Sequence, residues 1–207
     1  MRAAPLLFFA ALALLLAAGP LSADDSAARE RLESLRAALA DIQSLSGDFT
    51  QEKKLDFLKE PVRSRGVFYF ARPDYLHWEY LEPAVSGLEL EGGRARAWTG
   101  PPDQRSPQPE AMAEAARLAA GQVLIWMNLD PEGILAAYQV SVTQEKPLRL
   151  TVIPKRAGAR KYIESLEVEF SADLRTVRQV TLREPESRTT LTFSAVRLNQ
   201  SRPASGR

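Results

Sequence analysis

Few side chains in this sequence are able to carry out catalysis. Its 207 residues contain no cysteine and a single histidine, His77, which excludes disulfides, cysteine nucleophiles, thiolate metal sites and any site built from several histidines. His77 alternates with Leu76 and Trp78 in a strand-like pattern, so we expect it on the outer surface, facing away from them. Neither G-x-S-x-G nor H-E-x-x-H occurs. The residues therefore predict no metal site, no cofactor and no enzymatic activity.

Paired carboxylates are the other constellation that could support acid–base chemistry. Glu89 and Glu91 are two residues apart, and so are Glu167 and Glu169. On an antiparallel strand, residues at this spacing point to the same side of the sheet. Apolar residues occupy the alternate positions, so both pairs are predicted to lie on a solvated face and to have no catalytic role.

The overall charge argues against nucleic acid as a partner. The chain has 27 Lys and Arg against 26 Asp and Glu, which gives no long-range field to hold a phosphate backbone. No run of basic residues is interleaved with aromatic ones. We therefore expect no nucleic-acid binding.

The first 23 residues have the pattern of a secretory signal peptide. Arg2 is followed by an uncharged run from Leu6 to Ala18, and small Ala23 precedes the acidic Asp24. The run is too short to cross a hydrocarbon core of about 30 Å as a helix. The alternative is an N-terminal anchoring helix. Without a cysteine to acylate, the exported protein is predicted to diffuse freely in the periplasm.

The rest of the chain divides into a helix, strands, a helical insertion and more strands. An apolar stripe at three- and four-residue steps predicts an amphipathic helix from about Ser26 to Leu45, ended by Gly47. From Asp48 the apolar period changes to two, which indicates consecutive antiparallel strands with one apolar face. The proline-rich residues 100–109 are predicted to form an exposed loop that is neither strand nor helix.

The helical insertion follows this loop. Glu110 to Met127 is predicted to form one helix, or two broken near Gly121, and residues 131–137 form a short third helix. Alternation then resumes up to Leu198. Residues 24–198 are predicted to form one domain, and 199–207 a disordered tail.

A sheet of this kind has an exposed apolar face and free edges, and strong curvature with helices over the mouth solves both problems. We therefore expect a mainly β fold, a half-open antiparallel sheet of about 10 or 11 strands with an N-terminal helix. The residues expected to line its concave face, as a ligand cavity or as plain core, are Phe49, Phe68, Phe70, Leu76, Trp78 and Tyr80.

Several short segments resemble the periplasmic outer-membrane lipoprotein carrier family, LolA. They are Phe49-Thr50-Gln51, Ser64-Arg65-Gly66-Val67-Phe68-Tyr69-Phe70, and Arg72-Pro73-Asp74-Tyr75-Leu76-His77-Trp78, with Pro83 five positions on. The order of helices and strands is also similar along nearly the whole mature chain. The resemblance implies an incomplete β-barrel with lid helices over the concave face.

The resemblance also implies a function and partners. Such a carrier holds the acyl chains of a lipoprotein or related lipid, takes its cargo from an inner-membrane ABC transporter and passes it to an outer-membrane acceptor lipoprotein. We expect it to act as a monomer.

The lid and its latch follow from the same resemblance. Leu124, Ile125, Trp126 and Met127 are predicted to form a lid segment, with a plain core helix as the alternative. Arg72 matches the family arginine that bonds the lid backbone and holds the empty carrier closed. Its alternative role is a solvated charge in a turn.

One departure from the family pattern leaves either the direction of handover or the cargo open. The best-known carriers of the family have a further C-terminal strand, whereas residues 199–207 show no apolar alternation. Related proteins of this fold carry glycolipids or other apolar molecules or sense envelope stress, so these roles stay as alternatives.

Overall fold

The computed structural model describes residues 23–202, and all their side chains except those of 23–25, 114–116, 118–122 and 125. The predicted signal peptide lies outside this range apart from Ala23. The helices are α1 (Ala23–Ala38), α2 (Glu110–Met127), α3 (Pro131–Ala137) and α4 (Ala157–Arg160). Within the described residues, no helix combines the length and apolar character needed to cross a membrane.

The strands are all antiparallel to their neighbours and form one sheet. They are β1 (Ser44–Leu55), β2 (Val62–Ala71), β3 (Tyr75–Glu82), β4 (Ser86–Glu91), β5 (Arg94–Thr99), β6 (Ser106–Pro107), β7 (Tyr138–Glu145), β8 (Leu148–Pro154), β9 (Ser165–Phe170), β10 (Val177–Glu184) and β11 (Ser187–Leu198).

The strand order is β6-β5-β4-β3-β2-β1-β11-β10-β9-β8-β7. Every neighbouring pair is consecutive in the chain except β1 and β11, which join the N-terminal and C-terminal halves along ten paired positions. The two edges, β6 and β7, do not pair, so the sheet is open. Helices α2 and α3 connect one edge to the other. The predicted half-open sheet with 11 strands is confirmed.

Alternation along the strands buries one face of the sheet. On β3, for example, Leu76, Trp78 and Tyr80 are at most 5% exposed. The buried residues form two apolar clusters, one in each half of the sheet, and α1 contributes Leu32 and Leu35 to the cluster in the C-terminal half. The concave face therefore carries a buried apolar cluster in each half of the sheet.

The first helix ends earlier than predicted. It stops at Ala38, and β1 already begins at Ser44, so Gly47 lies inside a strand and ends no helix. A Cβ at Gly47 would lie 2.9 Å from the carbonyl oxygen of Ser194 on β11. Glycine is thus needed there for close strand packing. Ile42, which continues the helical spacing of apolar residues in the sequence, lies just after the turn that follows α1 and is buried.

Two other predictions differ from the structure. Residues 100–109 contain a short 3₁₀ turn at Pro102–Gln104 and the two-residue strand β6, so the loop is not irregular throughout. Residues 199–202, assigned to a disordered tail, lie against the sheet, where Asn199 Oδ1 accepts from the backbone N–H of Gln43 at 2.7 Å. Residues 203–207 lie outside the described range.

Candidate functional site

An apolar cavity of about 120 Å³ lies between the concave face and α2. Among the described residues, no ionisable side chain lines it. The lining residues are Phe68, Leu76, Trp78, Val123, Trp126, Met127, Leu129, Leu166, Val168, Phe170, Val177, Val180, Leu182, Leu191 and Phe193. Cavities with such walls stay dry and take up small apolar molecules.

The residues predicted to line a cavity divide into two groups. Phe68, Leu76 and Trp78 line it. Phe49 and Tyr80 pack beside them, with the Phe49 ring stacked on Trp78 at 4.1 Å and edge-on to Tyr80 at 5.2 Å. The sixth, Phe70, is fully buried and lines a smaller crevice of about 30 Å³ next to the cavity. All six residues lie on the concave side.

The other half of the cavity wall was not identified from the sequence. Leu166, Val168 and Phe170 on β9 line it, with Leu191 and Phe193 on β11. The alternation in these strands was recognised, but nothing in the local pattern showed that β11 returns to pair with β1. Only that long-range pairing places the two halves around one cavity.

The C-terminal half of α2 forms the roof. Leu124 and Met127 are half-buried and pack against the apolar cluster of the N-terminal half. Trp126 packs against the other cluster, with its ring 5.9 Å from that of Tyr138. The side chain of Ile125 lies outside the described residues. The roof therefore contacts both halves of the sheet.

Arg72 lies where the roof meets the turn between β2 and β3. It lines the small crevice together with Trp126 and Met127. Its Nε is buried and has no hydrogen-bond partner among the described residues. The bond between this turn and the end of the roof is donated by Asn128, whose Nδ2 lies 2.8 Å from the carbonyl oxygen of Pro73. No local sequence pattern indicates this role for Asn128.

The size of the cavity limits what it holds in this state. An apolar cavity of about 150 Å³ accepts a molecule the size of benzene. The 120 Å³ available here is too small for a fatty acyl chain. Uptake of such a chain requires the cavity to enlarge.

The outer face carries His77, as expected. Its Nε2 lies 3.4 Å from Glu79 Oε2, and its Nδ1 lies 3.9 Å from Glu89 Oε2. Arg105 pairs with Glu79 at 3.0 Å, and Arg202 approaches Glu89 at 3.4 Å. These arginines neutralise both carboxylates, so we assign the cluster a structural role. Among the described residues, no group of three His, Asp or Glu is arranged to hold a metal.

The prediction that the paired carboxylates are solvated was wrong for two of them. The side chain of Glu89 is 15% exposed and that of Glu169 is 8% exposed. Glu169 accepts from Arg149 at 2.6 Å and is 3.3 Å from Arg178. Arginines from the two neighbouring strands cover Glu169 in this way. Glu89 is covered by the Tyr75 hydroxyl, which donates to it at 2.8 Å, and by Arg202 of the segment that follows β11.

The fold and cavity define a class of proteins, the open antiparallel barrels that enclose an apolar cavity under a helical roof. Residues 40–205 match the model of the family described as outer membrane lipoprotein carrier protein LolA, and the chain belongs to this family. A comparison with curated proteins gives no significant match.

Two solved structures resemble this chain at low sequence identity, and the first shows the same fold. A chain in the complex structure of Pseudomonas aeruginosa MucA/MucB is 14% identical with a TM-score of 0.51, and the match covers 86% of this chain and 59% of that one. This protein thus spans less than two thirds of that relative. Mycobacterium tuberculosis lipoprotein LppX is 13% identical with a TM-score of 0.46, covering 90% and 100% of the two chains.

Proposed function

We propose that this protein is an exported carrier that shields the acyl chains of lipoproteins, or of a related lipid, and ferries them from the inner to the outer membrane. The observation that carries the proposal is the apolar cavity roofed by α2. Each buried methylene is worth about 0.8 kcal/mol. An acylated molecule therefore leaves a bilayer only if a comparable apolar surface receives it.

The roof supplies a means of release. In this structure, Leu124, Trp126 and Met127 pack on the apolar clusters. Cargo must displace these contacts, and their loss offsets part of the binding free energy. When cargo leaves, the roof closes again. Affinity therefore stays low enough for onward transfer.

The latch and the partners belong to the same proposal. Arg72 stabilises the closed state through the end of the roof, beside the bond from Asn128 to Pro73. An inner-membrane ABC transporter loads the carrier, an outer-membrane acceptor lipoprotein unloads it, and residues 1–23 direct export. Family membership supports these assignments.

Native mass spectrometry tests the carrier function. Protein purified without detergent, or mixed with an acylated lipoprotein or glycolipid, should retain a ligand at one-to-one stoichiometry. The bound mass would also separate lipoprotein cargo from glycolipid cargo. A chain that never accepts any acylated molecule is not a carrier.

A second candidate is a module that binds a protein partner and reports on lipids in the envelope. The fold likeness to a chain of the MucA/MucB complex favours it. A pull-down from envelope extracts distinguishes the two: a stable stoichiometric complex with a membrane signalling protein supports the module, and transient, cargo-dependent contacts support the carrier.

A further inference from the structure

The concave face changes from apolar to polar along β1, β10 and β11. Leu182 and Leu191 line the cavity. Two residues further along the same strands, on the same side of the sheet, come Glu184 and Thr189, which is about 7 Å of strand. Thr190, between Thr189 and Leu191, points to the opposite side of the sheet. The cavity-lining side of these strands, the floor, thus continues beyond the cavity as polar residues.

At this polar end of the floor, Gln51 and Thr189 are buried, and Lys53 and Glu184 are half-buried. Gln51 is 5% exposed and accepts a hydrogen bond from the Tyr80 hydroxyl at 2.9 Å. Lys53 Nζ donates to Glu184 Oε2 at 3.2 Å, and the two side chains are 22% and 16% exposed. Thr189 is 1% exposed, and its Oγ1 has no hydrogen-bond partner among the described residues. Buried hydroxyl groups are nearly always hydrogen-bonded, so the Thr189 hydroxyl is a candidate to bind a polar group of a ligand.

We propose that this polar end binds the carbonyl linkage of an acylated ligand, with the acyl chain extending from it into the cavity. The inference rests on the proposed carrier function and specifies its ligand. The Thr189 hydroxyl and the Lys53 ammonium donate to an ester or amide carbonyl, because both groups lie where the apolar floor ends. Glu184 neutralises Lys53, so the site offers donors without net positive charge and prefers an ester or amide to a free carboxylate.

The test compares two ligands on matched variants. Methyl laurate and an alkane of equal length each displace a bound apolar fluorophore, and the midpoints of displacement give the affinities. Thr189→Val removes the hydroxyl at nearly constant shape, and Thr190→Val makes the same change on the outer face. Thr189→Val should weaken methyl laurate about fivefold to tenfold, the effect of one hydrogen bond. Alkane affinity should not change.

Each outcome has a defined meaning. Thr189→Ser keeps the hydroxyl and should restore ester affinity, and Thr190→Val should match the wild type. Equal effects on both ligands, or no effect on the ester, would overturn the inference while the carrier function stands. If the wild type binds neither ligand, the inference and the proposed function both fail.

A measurement without substitution covers the case in which Thr189→Val does not fold. In wild-type protein labelled with ¹⁵N, the side-chain NH₂ resonances of Gln51 should shift on adding methyl laurate and should not shift with the alkane. Equal shifts with both ligands, or none with the ester, contradict the proposed orientation.

Discussion

The Asn128 side chain joins the end of the roof to the turn between β2 and β3. Asn128 Nδ2 donates to the Pro73 carbonyl oxygen at 2.8 Å, and we expect this bond to break when the roof opens. Asn128→Ala should therefore favour the open state and raise apparent affinity for an acyl probe about twofold to tenfold, measured by fluorophore displacement. Asn128→Asp, which also lacks the donor, should act in the same direction. Unchanged affinity in both variants would mean that the bond does not restrain the roof.

Arg72 gives a second prediction at the same place. Arg72→Leu removes a guanidinium whose Nε is buried beside Trp126 and Met127. If Arg72 stabilises the closed state by about 1 to 2 kcal/mol, the open population rises about 5- to 30-fold. The variant should fold, bind a lipid probe at least as tightly as the wild type and be recovered from the periplasm with ligand attached. Normal binding and delivery would leave Arg72 as an ordinary turn residue.

The buried hydroxyl of Tyr138, whose ring packs beside Trp126 of the roof, should make the free energy of unfolding depend on pH above about pH 10. Burial raises the pKa of Tyr138 to about 12, above the ordinary tyrosine value of about 10. The unfolded chain therefore loses this proton first, so the stabilisation is complete below about pH 10 and is lost as pH rises towards 12. The loss reaches about 2 to 3 kcal/mol. Urea melts of Tyr138→Phe should show a smaller decline between pH 9 and 11.5 than the wild type, and equal declines would contradict this assignment.

The sequence could identify residues of the site only where local pattern places them. Phe68, Leu76 and Trp78 follow from alternation in two adjacent strands. Asn128 does not, because its partner Pro73 is 55 positions away and an asparagine after a helix is an ordinary C-terminal residue. The burial of Glu169 under Arg149 was missed for the same reason.

At the scale of the element, α2 either opens as a lid or belongs to the rigid core. Leu124 and Trp126 are only half-buried, which favours a lid. Leu124→Asp or Trp126→Asp should therefore lower the melting temperature only slightly and abolish uptake of an apolar probe. In a core helix the same charge would be buried without a partner and would unfold the domain.

Met112 provides the control for this test. It lies in the first turn of the same helix and is 38% exposed. Met112→Asp should change neither the melting curve nor the uptake of the probe. A collapse of folding in Leu124→Asp alone would show that α2 is part of the core.

Strands were more predictable than the end of α1, for a physical reason. A strand with one buried face favours alternation of buried and less buried residues, and β8 shows it from Leu148 to Pro154. The helix end depends on competition between local period and sheet pairing. Ile42 continues the helical stripe, but Ser44 to Gly47 gain backbone bonds to both β2 and β11, and these bonds end the helical region early.

At the scale of the whole molecule, one continuous sheet faces the roof. Pairing of β1 with β11 makes the two halves a single body, whereas among the described residues side-chain packing and the Asn128–Pro73 hydrogen bond join the end of α2 to it. Bilayer-derived cargo exceeds the 120 Å³ now enclosed, so loading must enlarge the cavity. Because the backbone hydrogen bonds of the sheet are cooperative and those side-chain contacts are weaker, we expect the roof to move and the sheet to stay.

The absence of cysteine makes this expectation directly measurable with spin labels. Met112 at the start of α2, Arg94 on β5 and Glu186 between β10 and β11 are exposed. Met112→Cys with Arg94→Cys reports the distance from α2 to the sheet, and Arg94→Cys with Glu186→Cys reports the distance across the sheet. If α2 moves as one body, adding an acyl ligand should lengthen or broaden the first distance distribution by electron–electron double resonance and leave the second unchanged. A change across the sheet with none at α2 would mean that the barrel itself widens, because the edges β6 and β7 are not paired, and α2 would then be a fixed part of the fold.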